Sequence, residues 1–209
     1  MEILEICAAY VVCVKPVGLA SQGEGMESMP GRLAAEIGGE IYPVHRLDQA
    51  VGGVMVYART REAAAALSRA VQEGRLEKVY LAVLTKAMPE ASGELRDLLY
   101  HDRVKNKTYV VKRKRGGVKE AALEYETLRH GTAGTLVRVR LHTGRTHQIR
   151  VQFASRGCPL AGDGKYGGGS GSVALWSWRL AFPDPRDGTR REFCRRPEGG
   201  IWEGFEAPE

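Results

Sequence analysis

No apolar run in the 209 residues approaches the roughly 20 needed to span a bilayer as a helix, so a helical membrane protein is excluded. Cysteine is scarce: four residues, at 7, 13, 158 and 194, none spaced C-x-x-C. That disfavours a structural zinc site, and scattered thiols fit a reducing compartment, so a cytoplasmic protein is expected. No internal repeat is visible, and no G-x-S-x-G elbow points to a serine hydrolase. A cationic leader is also missing: MEILEICAAYVVCV contains Glu2 and Glu5 and reads as buried strand, not signal peptide. GDGKYG at 162–167 fits G-x-G-x-x-G, but it follows a predicted helix instead of opening one. No helix start would be available for a pyrophosphate, so the stretch reads as a tight turn. His142 and His147 are five apart and do not share a helical face, so they read as hydrogen-bonding residues, and no metal is expected.

What is present is an ordinary globular composition, 43% hydrophobic and 27% charged, with a net charge of +6. The charge is concentrated. Residues 102–119 carry eight cations (Arg103, Lys105, Lys107, Lys112, Arg113, Lys114, Arg115 and Lys119) against Asp102, more than the whole excess of the chain. Such density favours phosphate contact over a merely solvated loop, although a localisation signal or a docking arm for another protein is also open.

Strands are predicted at 10–15, 53–58 and 78–84, in three stretches between 107 and 141, and at 173–182 and 190–194. Residues 21–29 read as a loop. Thr60 should cap a helix over about 61–73, with Leu67 and Val71 on one face and Gly74 closing it. A second helix is predicted from about 146 to 156, with Thr143 or Thr146 near its cap and Ile149 and Phe153 facing inward. Strands joined by short turns predict an α+β fold: a mixed, mostly antiparallel, bent β-sheet with flanking helices and loops. No linker demands a division, so one domain over 1–209 is expected, as a monomer.

Two segments concentrate chemistry. YPVHRLDQAVGGVMVYA (42–58) places His45, Arg46 and Asp48 directly before a strand. LHTGRTHQIRVQFASRGCPLAGDGKYGG (141–168) places Arg145, His147 and Arg150 around a helix start, where free amides and the dipole suit an anion. HRLD at 45–48 and GRTHQIR at 144–150 resemble the signature segments of the RluA family of pseudouridine synthases. VVCVKPVGL (11–19), KVYLAVL (78–84) and CPLAGDGKYGG (158–168) support the resemblance, which runs in order from about residue 10 to 182. The chain resembles the short members with a single catalytic domain and no S4-type RNA-binding domain.

The resemblance implies an RNA-modifying isomerase that needs no cofactor, because the reaction involves no redox change. Asp48 corresponds to the family's essential aspartate, able to attack the sugar carbon, stabilise positive charge there or remove a ribose proton. Arg150 matches the basic residue that pairs with that aspartate, with Arg145 the alternative. Tyr80 matches the active-site tyrosine, whose ring can stack on uracil and whose hydroxyl can assist proton transfer at carbon 5. Arg46 matches the position that can fill the gap left by a flipped base, and His45 would support the RNA backbone or the loop. His45, Arg46, Arg145, His147 and the cationic Lys112, Arg113, Lys114 and Arg115 are the expected RNA-binding residues, on ribosomal or transfer RNA. One departure stands out: Val51-Gly52 replaces the Thr-Ser that usually follows HRLD two residues later. The lost hydroxyls open a second reading, an inactive RNA-binding protein that keeps the fold.

Overall fold

The computed structural model describes residues 1–205. In chain order the elements are β1 (Glu2–Ile6), β2 (Tyr10–Lys15), α1 (Met29–Ile37), β3 (Tyr42–Pro43), β4 (Gly52–Ala58), α2 (Arg61–Gln72), β5 (Glu77–Leu84) and β6 (Ser92–Asp102). There follow β7 (Lys107–Val111), β8 (Val118–Gly131), β9 (Gly134–Leu141), α3 (Gln148–Ala154), β10 (Leu175–Pro183) and β11 (Arg190–Cys194). The chain divides into two compact units. The first comprises Met1–Lys78 and Trp176–Pro197, the second Val79–Leu175 and, among the described residues, 198–205. The fold is α+β with mixed strand pairing, as the sequence predicts.

In the first unit the strands lie in the order β1-β2-β4-β10, with β11 on β10 and β3 on β4. β1 with β2, β2 with β4, β3 with β4 and β10 with β11 pair antiparallel, whereas β4 and β10 are parallel, with Gly52 facing Trp176 and Gly53 facing Ser177. β4 is buried along its full length, which explains why GGVMVYA is apolar throughout instead of alternating. Helix α2 covers one face: Ala63 and Leu67 pack with Tyr10, Val12, Val54, Val56, Leu180 and Phe182. Thr60 caps that helix by accepting from the Ala63 amide, and Gly74 takes the left-handed conformation after it, both as expected.

Helix α1 was not expected: it begins where the predicted loop 21–29 ends. Here Pro30 occupies the first turn, where a missing amide proton costs nothing. Ser28 caps the helix by accepting from the Gly31 amide. A side chain at 31 would collide with the Gly25 carbonyl, so the glycine permits a close crossing.

In the second unit the order is β5-β9-β8-β6-β7. Strand β6 was also missed. Its buried Leu95 and Leu99 are four apart, a spacing that a helix face shares. Helix α3 buries Ile149 and Phe153 as predicted, and Phe153 meets Tyr125 edge to face at 5.6 Å. Neither Thr143 nor Thr146 caps it. His147 occupies the cap position with a left-handed backbone (φ 54°) and makes no side-chain cap bond. Thr143 instead donates its hydroxyl to Gln148 Oε1 at 2.7 Å and accepts from the Ala122 amide.

Candidate active site

Asp48 lies in the loop that leads into β4, and it is half-buried. The loop has little regular structure of its own and is held by the turn that follows β2. Ser21 donates its hydroxyl to the Leu47 carbonyl at 2.7 Å and accepts from the Leu47 amide at 3.2 Å. The Gly18 amide donates to the Gln49 carbonyl at 2.8 Å, and Gln49 Nε2 returns a bond to the Gly18 carbonyl at 2.9 Å. The Val51 amide closes a turn on the Asp48 carbonyl at 2.9 Å.

At the centre of this staple is Lys15, which is 0% exposed. Its ammonium donates to the carbonyls of Pro16 (2.8 Å), Leu19 (2.7 Å) and Gln49 (3.2 Å), one acceptor for each of its three protons. Burial pushes the Lys15 amine down to about 8, and the charge of Asp48 opposes that shift. A lysine closing the apolar run YVVCVK was the signal available in the sequence, where the segment served only as a supporting match.

The Val51-Gly52 departure has a structural counterpart. Val51 is buried, and a Cβ at Gly52 would stand 2.5 Å from Cζ3 of Trp176. The indole occupies the space that a side chain at 52 would need, and its Nε1 donates to the Arg195 carbonyl at 2.7 Å. Gly53, at φ 120°, approaches the Ser177 backbone so closely that a Cβ there would stand 2.2 Å from the Ser177 carbonyl oxygen. The loop is thus anchored by backbone bonds and a tryptophan face.

His45 is buried, with its Nε2 accepting from the Val56 amide at 3.2 Å. That bond leaves the ring proton on Nδ1, which has no partner among the described residues. Burial, assisted by the positive charge of Lys78, pushes the imidazole down to about 3. Arg46, next to it, is exposed.

In the second unit Tyr80 is 5% exposed on β5. Arg150, on α3, is held by a partner that the sequence reading missed. Its Nε and Nη2 donate to the two carboxylate oxygens of Asp163, each at 2.7 Å, with both side chains buried. The stretch 162–167 is a turn, as expected, with Gly162 and Gly167 at positive φ. Its function in the fold is to deliver this carboxylate. An acid flanked by glycines close to an arginine-bearing helix was the signal that could have found it. Tyr166 lies over the Arg150 guanidinium at 5.2 Å. Arg145 is exposed, and its Nε donates to the Glu120 carbonyl at 2.9 Å. His147 is buried against Tyr166.

The cationic Lys112, Arg113, Lys114 and Arg115 are all exposed in the connection between β7 and β8. Arg115 covers the Tyr100 ring at 5.0 Å, and Lys114 pairs with Glu120 in solvent. Screening makes such an exposed pair weak, so it does not neutralise the stretch.

Asp48 belongs to the first unit, and Tyr80, Arg150 and the cationic connection to the second. The fold is that of a pseudouridine synthase: the solved structure of human RNA pseudouridylate synthase domain containing 1 superposes with a TM-score of 0.80, at 23% identity, covering 94% of this chain and 83% of that one. An RNA pseudouridine synthase of Aquifex aeolicus, described as uncharacterized, is 42% identical over 143 residues, which is 66% of this chain and 44% of the relative. Ribosomal large subunit pseudouridine synthase D of Nitrosomonas europaea is 34% identical over 157 residues, 69% of this chain and 44% of its own length. The family model described as RNA pseudouridylate synthase matches residues 9–155, and the chain belongs to that family. It spans about half the length of the curated relatives it matches.

Proposed function

We propose that this protein isomerises uridine to pseudouridine in structured RNA, with Asp48 as the catalytic carboxylate. The observation that carries the reading is the fixed, half-buried position of Asp48 on a loop tied down by Lys15, Ser21 and Gly18. In the reaction the bond from uracil N1 to the ribose carbon breaks and the bond from C5 to the same carbon forms. N1 gains a proton and C5 loses one, so the sum is redox-neutral and requires no cofactor. A carboxylate can add to the sugar carbon, balance the charge that develops there, or take a ribose proton. Tyr80 is assigned to stack on the uracil and assist proton transfer at C5, and Arg150 to oppose negative charge in the site.

Arg46, Arg145, His147 and the Lys112–Arg115 stretch would engage the RNA. Buried His45 would act through the loop. Base flipping precedes the chemistry wherever the target is stacked. Relatives named for the large ribosomal subunit favour ribosomal RNA as the target, with transfer RNA the alternative. We place the reaction in the cytoplasm, by a monomer with one catalytic domain. Free cysteines at 7, 13, 158 and 194 fit a reducing compartment, and no described helix is long and apolar enough to cross a membrane.

The test is tritium release from RNA labelled at uracil C5. The wild-type protein should release tritium, and Asp48→Asn should not, while keeping its melting temperature and RNA affinity. Salt-dependent RNA binding without release from ribosomal or transfer RNA, by either protein, would establish the inactive binding protein instead.

A further inference from the structure

We propose that Tyr166 is a positioning residue that locks the cationic hairpin β6–β7 to the start of α3, and so sets how RNA is presented to Arg150. The inference rests on the synthase reading, and concerns a residue that reading leaves unused.

The Tyr166 oxygen accepts from the Thr108 amide on β7 at 2.8 Å and bonds Nδ1 of His147, in the α3 cap position, at 2.9 Å. One hydroxyl therefore joins two segments 58 and 19 residues away in the sequence that share no ladder. Thr108 tightens the same junction: its hydroxyl donates to the Thr146 carbonyl at 2.9 Å and lies 3.0 Å from Nδ1 of His101 on β6. The His101 and His147 rings meet edge to face at 6.1 Å.

The Tyr166 ring contacts two cations of different purpose. Arg150 lies 5.2 Å from its centroid and Lys107, in the cationic hairpin, 5.3 Å. The tyrosine is itself fixed from behind, because its amide donates to the carbonyl of Asp163, whose carboxylate clamps Arg150. Lys165 Nζ adds a bond to the Asn106 carbonyl at the hairpin turn, at 2.8 Å. A shift of the hairpin must therefore break the hydroxyl junction, while the ring can keep its place over Arg150.

The two parts of Tyr166 should separate kinetically. Tyr166→Phe keeps the ring and removes the hydroxyl. One net hydrogen bond corresponds to about a fivefold change, so KM for RNA should rise about fivefold, with kcat changing less than twofold. Tyr166→Leu also removes the ring, and kcat should then fall as well. Both are measured by tritium release well below the melting temperature, which is recorded for each variant. A purely structural tyrosine would lower melting and leave KM and kcat of the folded enzyme unchanged. That result, or equal loss of kcat in both variants, overturns the proposal. Absence of release by the wild type would instead overturn the synthase reading.

Discussion

Asp163→Asn replaces one acceptor of a buried, doubly bonded ion pair by an amide of nearly the same shape. Side-chain exposures of 6% for Arg150 and 1% for Asp163 mean that water cannot take over the lost charge. Removing one partner of a buried pair costs about 3–5 kcal/mol, because the other charge stays desolvated. The Tyr166 ring remains over the guanidinium, which places the expected cost near the lower limit, about 3 kcal/mol. For a chain of this size each kcal/mol shifts melting by about 2–4 °C, so a drop of about 10 °C is expected. The assay is thermal unfolding followed by circular dichroism, with tritium release measured at 20 °C below each midpoint. A double variant, Arg150→Met with Asp163→Leu, separates stability from chemistry. Exchanging a whole buried pair for apolar groups of similar volume is often close to neutral, so melting should recover while activity is lost with the Arg150 guanidinium. A shift below about 3 °C for Asp163→Asn, or activity restored in the double variant, would refute the reasoning.

Gly52→Ser should cost about 1–3 kcal/mol in a denaturant titration, because the Trp176 ring must move, and Trp176→Ala in the same chain should recover part of that loss. Gly53→Ala should be worse, since it meets rigid backbone at a positive φ. His45 adds a specific acid sensitivity. Its folded value, about 3, lies below that of an unfolded histidine, near 6.5. Its stabilising effect is therefore intact above pH 6.5 and is lost as pH falls toward 3, at about 1.4 kcal/mol per pH unit. The stability gap between wild type and His45→Gln should shrink by about 3 kcal/mol from pH 7 to pH 4.5, and a gap independent of pH would count against it. Arg113→Glu with Arg115→Glu should weaken RNA binding and reduce the slope of log K against log salt by about two, whereas an unchanged slope would remove these residues from the RNA surface.

The parts of this fold that were legible in the sequence are those where one local signal dominates. Thr60 and Gly74 bracket α2, and the unbroken apolar run of β4 announces a strand buried on both faces. Helix α1 was hidden because Pro30 and Gly31 suppress helix within a segment but are harmless in its first turn. In the site, Asp48 could be named from its motif, whereas what fixes it could not. Lys15, Ser21 and Trp176 reach the loop through bonds to backbone and through shape, and neither leaves a pattern of residue types. Asp163 and Tyr166 were read as turn residues. A glycine-rich turn is visible from composition, but which of its side chains points inward depends on tertiary packing.

The serine hydroxyl at 177 reaches the Val54 carbonyl across 123 residues of chain. At translation speeds of about 5–20 residues per second, that separation means roughly 6–25 s between the emergence of one partner and of the other. Throughout that interval the nascent first unit lacks the partner of β4 at Gly52 and Gly53, and has no Trp176 to seat Gly52. The aspartate loop thus acquires its final footing late in synthesis, and a ribosome that stalls before codon 177 would release a fragment with an open, aggregation-prone strand.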